Sequence, residues 1–298
     1  MTSKRTPPQV AILALIGLAM IWGYNWVVMK IAVRDAAPFD FAAIRAFFGS
    51  LSLFLLMVWL RKPLKPVAIA ETVVCGVLQT TGVVGLIAWA LVSGGAGKTA
   101  VLNYTMPFWA LILAWIFLKE RLRGLQWLSV GLSLVGLVLV LLPLSLTGGL
   151  LSEALAVSAG ISWAMSAIIL KKINHRPAFD VLSFTTWQML FGSIPLILVA
   201  IAIPAPPIHW TPSFIAALLY NILPGGAIAW LLWFYALNEL PTGVASLGTL
   251  AIPVVGVFAA WIQLSEVPSL TEWLGIALIL IALILNSMAA KNPHSATH

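Results

Sequence analysis

Long apolar stretches, separated by short connections rich in proline, glycine or charge, follow one another along the whole chain. A helix needs roughly 20 mainly apolar residues to cross a bilayer, because each residue rises about 1.5 Å and the hydrocarbon core is about 30 Å thick. The pattern therefore predicts an all-α membrane protein with no inserted soluble domain. Its ten transmembrane helices are predicted near residues 10–32, 38–60, 66–91, 97–118, 124–143, 150–171, 179–203, 211–237, 243–264 and 270–290.

The composition also indicates lipid as the main solvent. Apolar residues make up 61% of the 298 residues and charged residues only 8%, whereas a soluble domain carries about 25% charged residues. The single cysteine, Cys75, excludes an internal disulfide. The first apolar run, which follows Lys4 and Arg5, is too long for a signal peptide. We interpret it as a retained first helix.

The basic residues are distributed unevenly between the two sides of the predicted helices. With the N-terminus inside, only Lys30, Arg34 and Lys98 fall on outer segments. The inner segments hold Lys4, Arg5, Arg61, Lys62, Lys65, Lys119, Arg121, Arg123, Lys171, Lys172, Arg176 and Lys291. Basic residues concentrate in cytoplasmic loops, so we expect a multi-pass protein of a bacterial-type inner membrane with both termini cytoplasmic. The same bias explains the net charge of +7 without nucleic acid as a partner.

The two halves of the chain repeat one another. Residues 97–137 align without a gap on residues 243–283, and Trp22 matches Trp163 at an offset of 141. The matched positions include Pro107 with Pro253, Glu120 with Glu266, and Trp127 with Trp273. Five helices are an odd number, so the second half would enter the membrane from the opposite side. We expect two inverted five-helix repeats, residues 1–145 and 146–298, around a central cavity.

These matched residues also carry a family resemblance. The first half has Trp89-Ala90-Leu91, Pro107, Lys119-Glu120-Arg121-Leu122 and Gln126-Trp127-Leu128. The second half has Tyr235-Ala236-Leu237, Pro253, Glu266 and Glu272-Trp273-Leu274-Gly275. The pattern resembles the EamA unit of the drug/metabolite transporter (DMT) superfamily over nearly the whole chain. The resemblance implies a ten-helix exporter of small metabolites, most similar to the amino-acid exporters.

Polar and aromatic residues at mid-span mark the expected substrate path, because polar groups are costly against lipid and usually face the interior. An amide is hard to satisfy within its own helix, whereas Ser and Thr can bond to a helix carbonyl. The tryptophans are compatible with either core packing or an aromatic wall for an apolar substrate. The candidate substrate-binding residues are Trp22, Asn25, Gln79, Asn103, Tyr104, Trp163, Ser166, Gln188, Asn221, Thr249 and Arg45.

Arg45 is the charged residue that falls inside a predicted span, about a third of the way into the second helix. Two interpretations remain open from the sequence. Its long side chain extends outward towards Asp40, as basic side chains near membrane interfaces do, or its guanidinium contacts a substrate carboxylate.

Proline and glycine residues near the middle of four helices predict points of flexibility. A proline removes one helix hydrogen bond and collides with the carbonyl four residues earlier, and a cavity can satisfy the freed carbonyl. We expect hinge or cavity-lining roles at Pro107 and Pro253. A second such point is Pro224-Gly225-Gly226 in the eighth helix. The corresponding segment of the third helix runs from Gln79 to Gly82.

Chemical and nucleotide-dependent functions are not indicated. Gly97-Lys98-Thr99 ends like a phosphate-binding loop, but Val92 occupies the position of the required first glycine. No Asp, Glu or His lies at a predicted mid-span position, which argues against an intramembrane enzyme and against a dedicated proton relay. We expect no ATP, cofactor or metal.

The sequence therefore predicts a secondary transporter that works by alternating access and exports small metabolites, amino acids above all, including aromatic and other apolar ones. Its expected partners are a small-molecule substrate and the lipid bilayer, with the protein a monomer or a weak dimer. A carrier of organic anions or phosphate esters remains an alternative, as does an exporter of drugs or quaternary amines. The anion carrier would need two or more cations at the cavity, for which Arg45, Lys98 and Lys30 are the candidates.

Overall fold

The structure is a computed structural model that describes residues 8–119, 124–142, 149–173, 179–240 and 249–291. Throughout these residues the chain is helical with short connections, and no strand occurs in them. We number the helices in chain order as α1 (Pro8–Ala32), α2 (Pro38–Trp59), α3 (Ile69–Ser93), α4 (Ala96–Leu118), α5 (Gly124–Leu141), α6 (Gly149–Ile173), α7 (Val181–Ala202), α8 (212–239), α9 (Ala251–Leu264) and α10 (Leu270–Lys291).

Helices α1 to α8 are long and apolar enough to cross a membrane, which makes eight candidate spans in the described part of the chain. The apolar stretches of α9 and α10, Ala251–Leu264 and Leu270–Asn286, are shorter. Residues 243–248, the beginning of the ninth predicted span, lie outside the described ones. Other residues named from the sequence that lie outside them are Lys4, Arg5, Glu120, Arg121, Leu122, Arg123 and Arg176.

Local sequence explains several helix ends. The side chain of Asp180 accepts a hydrogen bond from the Ser183 N–H and so caps the start of α7. Thr211 caps α8 in the same way through the Phe214 N–H. Lys119 and Ser265, which are 146 residues apart, take left-handed backbone conformations with φ of 53° and 58° and end α4 and α9. The two matched segments of the chain therefore end their helices in the same conformation.

The helices pack in pairs that follow the duplication. Helix α5 packs on α10, and α2 on α7. Helix α1 packs on α8 and α9, while α6 packs on α3 and α4. Under exchange of each of the first five helices with its counterpart in the last five, the α5–α10 and α2–α7 pairings are unchanged. The two pairings of α1 become the two pairings of α6.

Glycines bring two of these helix pairs very close together. A methyl group on Gly192 of α7 would collide with the carbonyl oxygen of Gly76 in α3 and lie 2.5 Å from Cβ of Thr80. Similarly, a methyl group on Gly136 of α5 would lie 2.7 Å from the carbonyl oxygen of Gly275 in α10. Small residues permit such close backbone approach, which favours helix association within a bilayer.

Candidate functional site

A large internal cavity lies between helices of both halves of the chain. We call it the main cavity; it has a volume of about 630 Å³ and is lined by residues of α1, α3, α4 and α6 to α10. A second space of about 220 Å³, the Arg45 pocket, adjoins it and shares Trp22, Trp163 and Gln188 with it. Binding sites for small molecules usually enclose about 300–1,000 Å³, so the combined space suits a metabolite.

Ten of the eleven candidate substrate-binding residues line this space in the described part of the chain. They are Trp22, Asn25, Arg45, Gln79, Asn103, Tyr104, Trp163, Gln188, Asn221 and Thr249. Ser166 is not among the lining residues; its hydroxyl donates a hydrogen bond to Oε1 of Gln79 at 3.0 Å. This bond positions the Gln79 side chain, which lines the cavity.

Four amide side chains in the Arg45 pocket carry oxygens that have no hydrogen-bond partner among the described residues. They are Oδ1 of Asn25, Asn103 and Asn221, and Oε1 of Gln188. Each of these residues is more than nine-tenths buried. A buried acceptor without a partner costs about 1–3 kcal/mol, so four of them around one space indicate a site built to accept hydrogen bonds from a ligand.

Aromatic rings form the apolar part of the wall in two pairs. Trp22 meets Trp230 edge to face with ring centroids 5.5 Å apart, and Tyr104 meets Trp163 at 6.2 Å. The indole Nε1 of Trp22 also donates a hydrogen bond to the carbonyl oxygen of Gly225 at 3.0 Å. Edge-to-face pairs are favourable geometries, so both pairs hold their rings in defined positions beside the unpartnered amides.

Widened helical turns lie next to the cavity in α3 and α8. Residues Gly76–Val84 of α3 and Leu223–Ile228 of α8 are π-helical, and such turns are frequent at functional sites. The first contains Gln79 and the second contains Pro224-Gly225-Gly226, the segments in which the sequence predicts flexible points. Ser162 of α6 donates a hydrogen bond to the Leu78 carbonyl in the first turn at 2.7 Å. Similarly, Trp22 of α1 donates a hydrogen bond to the Gly225 carbonyl in the second turn.

The two repeat-matched prolines follow interruptions of their helices. Helix α4 is interrupted between Asn103 and Met106, just ahead of Pro107. Pro253 lies in the first turn of α9. Because a proline collides with the carbonyl four residues earlier, the break falls before each proline and not at it. Pro107 lines the main cavity, whereas Pro253 is buried; the hinge roles of both prolines and of the α8 turn stay predictions.

Arg45 turns into the Arg45 pocket and has no ion-pair partner within the described residues. Its Nη1 lies 2.7 Å from the sulfur of Met29, and its guanidinium carbon lies 5.8 Å from the centroid of the Phe41 ring. It forms no ion pair with Asp40, so the outward-reaching interpretation is not what the structure shows. The guanidinium instead faces the space that the four amides surround.

A network of charged groups fastens several helix ends at one end of the molecule. Nζ of Lys98, near the start of α4, pairs with Glu153 of α6 at 2.6 Å and with Glu272 of α10 at 3.2 Å. Glu266 accepts a hydrogen bond from the Gly97 N–H. Nζ of Lys30 donates to the Leu91 and Gly94 carbonyls at the end of α3. The residues that resemble a phosphate-binding loop therefore bond to carboxylates.

At the opposite end, an ion pair between Lys62 and Asp180 connects the two halves. Nζ of Lys62, between α2 and α3, lies 2.7 Å from Oδ2 of Asp180, just before α7. Burial raises the pKa of the Asp180 carboxyl, but the hydrogen bonds from Lys62 and from the Ser183 N–H outweigh burial and hold it below its ordinary value. The main cavity extends towards this end, since Leu170 and Val181 line it.

Sequence reasoning missed some residues of the site. Trp230, Thr185 and Met189 line the Arg45 pocket but were not among the candidates. Thr185 lies one helical turn before Gln188, so helical periodicity could have found it. The Lys98 network was missed for a different reason: its carboxylates come from segments more than 50 residues away, and the sequence carries no sign of such a contact.

The helices and the cavity define a multi-pass membrane protein with an internal chamber of metabolite size. The sequence profile of the EamA-like transporter family matches residues 9–142 of this chain and matches again over residues 150–288. The chain therefore belongs to the EamA-like transporter family, which confirms the resemblance drawn from the sequence, and is a transporter.

Relatives of known sequence support this membership. The uncharacterized transporter YoaV of Bacillus subtilis is 27% identical over 282 residues, which cover 92% of this chain and 96% of the relative. A protein of Escherichia coli K12 named as a probable amino-acid metabolite efflux pump is 27% identical over 286 residues, covering 92% and 93%. A solved crystal structure with 16% identity shares the fold, with a TM-score of 0.66 and coverage of 96% and 99%.

Proposed function

We propose that this transporter exports small metabolites, most of all amino acids with aromatic or other apolar side chains, by alternating access. One observation carries the proposal: four buried amide oxygens without partners lie beside aromatic pairs around one cavity. An ammonium group can donate hydrogen bonds to such oxygens, while the rings of Trp22, Trp230, Tyr104 and Trp163 contact an apolar side chain. The probable amino-acid efflux pumps among its relatives support the same substrate class.

The proposed architecture is ten spans in two inverted five-helix repeats, residues 1–145 and 146–298. Three observations support it. The family profile matches each half separately; the helix pairings α1 with α9 and α6 with α4 exchange under the duplication; and π-helical turns occur in both α3 and α8. Inverted repeats of this kind surround a substrate site near the midplane in many secondary transporters.

The proposed orientation has both termini in the cytoplasm of a bacterial-type inner membrane. Arg61, Lys62, Lys171 and Lys172 lie at or near the ends of α2 and α6, towards which the main cavity extends. Cytoplasmic segments are enriched in such residues. In this orientation the Lys98 network lies at the outer end of the protein and the main cavity extends towards the cytoplasm, which is the arrangement that an exporter needs for loading.

Alternating access then requires the two ends to exchange roles. Opening of the outer end would separate Lys98 from Glu153 and Glu272, and closure of the inner end would bring α6, α7 and α10 together. The interruptions before Pro107 and Pro253, and the α8 turn at Pro224-Gly225-Gly226, are the proposed hinges, because their backbone already departs from regular helix. No cofactor or ATP is proposed.

The alternative of an organic-anion or phosphate-ester carrier has less support. Such a substrate needs two or more cations at the site, and Lys30 and Lys98 are bonded elsewhere, to the carbonyls at the end of α3 and to Glu153 and Glu272. Of the three candidate cations, only Arg45 faces the cavity. A protein that acts as a monomer or weak dimer is proposed, since one chain encloses the site.

Counterflow in liposomes tests the proposal. The purified protein is reconstituted, loaded with unlabelled substrate and supplied with labelled phenylalanine, leucine, a nucleoside, a quaternary amine or a phosphate ester, with and without a pH gradient. We expect saturable counterflow of the amino acids. Counterflow of the amine or the ester with no amino-acid flux would replace the proposed substrate class. A Trp210→Phe variant, altered at an exposed ring outside the cavity, serves as the control.

A further inference from the structure

Arg45 is the charged residue in the wall of the Arg45 pocket, and its environment does not balance its charge. A guanidinium carries five N–H donors. Those of Arg45 make one hydrogen bond within the described residues, to the neutral sulfur of Met29. The Phe41 ring at 5.8 Å adds a weak attraction for the cation. The residues that line the pocket include no Asp or Glu.

A charge placed in a membrane interior without a counter-charge is expensive, and such residues usually pair with another group or mark a substrate path. Lys30 and Lys98 are paired in this way. The ammonium group of Lys30 contacts three carbonyls, and that of Lys98 contacts two carboxylates. Arg45 has no counter-charge among the described residues and lines the pocket, which fits a residue on a substrate path. The missing element is an oxygen-bearing anion, for which the planar guanidinium is the favoured partner.

The repeat shows that this charge belongs to one half only. Phe48-Gly49-Ser50 matches Phe191-Gly192-Ser193 at an offset of 143, and the same offset matches Arg45 with Gln188. Both side chains line the same pocket, from the paired helices α2 and α7. Gln188 supplies a neutral amide whose oxygen has no partner among the described residues. The pocket therefore contains one cationic donor together with several neutral acceptors.

We propose that Arg45 binds the carboxylate of the transported molecule and makes the site select carboxylates over the corresponding amides and amines. This inference rests on the proposed function and names the group that the site recognises. A bound amino acid lies with its carboxylate on Arg45 and its ammonium group towards the amide oxygens of Asn25, Asn103, Gln188 and Asn221. Its side chain lies along the aromatic pairs. One guanidinium balances the single charge of a carboxylate but only half the charge of a doubly charged phosphate ester, so we expect the site to favour carboxylates.

Four related ligands separate the contributions of the two charged groups. Phenylalanine carries both groups, phenylalaninamide lacks the carboxylate, 3-phenylpropanoate lacks the amine, and phenethylamine carries the amine alone. Binding of each is measured by titration calorimetry on the wild-type protein in detergent. We expect phenylalanine to bind at least about tenfold more tightly than phenylalaninamide, and 3-phenylpropanoate to bind more tightly than phenethylamine. Equal affinity for phenylalanine and its amide would overturn the inference without any variant.

Two variants assign the effect to Arg45. The Arg45→Gln variant places in the first half the residue that the second half has at the matched position, Gln188. We expect it to lose about tenfold or more in affinity for phenylalanine and 3-phenylpropanoate, while its affinity for phenylalaninamide is unchanged. The Arg45→Lys variant keeps the charge and should retain part of the preference. The Arg34→Gln control removes an exposed charge at the same end of the molecule and should bind as the wild type does.

The outcomes separate this inference from the proposed function. Arg45-dependent binding of carboxylates without counterflow would support the carboxylate site and contradict amino-acid export. Counterflow of phenylalanine would support export but overturn the role of Arg45 if two results are found together. Phenylalaninamide would have to inhibit the counterflow as strongly as unlabelled phenylalanine does, and the Arg45→Gln variant would have to retain the wild-type rate. If none of the four ligands binds to the wild type, the carboxylate site is overturned as well.

Discussion

The indole Nε1 of Trp22 donates a hydrogen bond to the carbonyl oxygen of Gly225, 3.0 Å away and 203 residues later in the chain. Gly225 lies in the π-helical turn of α8, and Trp22 lines both the main cavity and the Arg45 pocket. One side chain therefore joins the wall of the cavity to the proposed hinge of the other half. Movement of the α8 turn would alter the position of the ring, and occupation of the cavity would alter the turn.

Replacement of Trp22 should impair transport more than it impairs folding. We expect Trp22→Ala to lower counterflow of an apolar amino acid about tenfold or more, because it removes the ring pair with Trp230 and the bond to Gly225. Trp22→Phe, which retains a ring but no donor, should fall between this variant and the wild type. Trp163→Ala should have an effect similar to that of Trp22→Ala. If both alanine variants show wild-type counterflow, these two rings do not belong to the substrate site.

The Lys98 network should control the access of solvent to the cavity from the outer side. In a Cys75→Ser background, a Val83→Cys substitution places a thiol in the wall of the Arg45 pocket. We expect Lys98→Gln to raise several-fold the rate at which a membrane-impermeant maleimide labels this thiol from outside. The change breaks both ion pairs that hold α4 to α6 and α10.

The matched control for this experiment is Lys65→Gln, which removes an exposed charge near the other end of the molecule. It should leave the labelling rate from outside unchanged. An unchanged rate in Lys98→Gln would show that the ion pairs do not hold the outer end closed.

The close approach of α3 and α7 should make Gly192 intolerant of a side chain. Gly192→Ala places a methyl group against Gly76 and Thr80, so the helices must separate, and we expect a loss of about 1–3 kcal/mol. Gly131→Ala in α5 meets nothing within 4 Å and should be neutral or stabilise slightly. Thermal unfolding in detergent measures both. An equal effect of the two substitutions would contradict the packing.

The Lys62–Asp180 ion pair should contribute stability that depends on pH. The folded protein lowers the pKa of Asp180, so the pair stabilises above the ordinary carboxyl pKa of about 4 and its contribution is lost as the pH falls through the lowered value. Asp180→Asn should cost about 0.5 kcal/mol at pH 7, a small value because both groups are partly exposed. The difference from the wild type in unfolding temperature should shrink as the pH falls below about 4.

Asp180→Ala separates the ion pair from the helix cap. Asparagine can still accept the hydrogen bond from the Ser183 N–H, but alanine cannot, so the alanine variant should lose about 1 kcal/mol more. A difference between wild type and Asp180→Asn that stays constant from pH 7 to pH 3 would show that the charge of Asp180 contributes no stability.

The sequence predicted the cavity residues well where chemistry restricted them most. Asn25, Asn103, Gln188 and Asn221 were candidates because an amide at mid-span has few partners in its own helix, and their oxygens are the ones that lack partners. Ser166 was a weaker case for the same reason: a hydroxyl finds acceptors easily, and this one bonds to Gln79. Trp230, by contrast, resembles any buried tryptophan in its sequence context.

The sequence alone determined the class of protein, the helices and their duplication, because lipid accepts only long apolar segments and a duplication leaves matched residues at a fixed offset. It could not determine which charged groups meet at each end of the molecule, or that Arg45 lines a pocket. Those features depend on contacts such as Lys98 with Glu272 and Trp22 with Gly225. The residues in each pair are more than 170 positions apart, and only the packing of the helices in three dimensions brings them together.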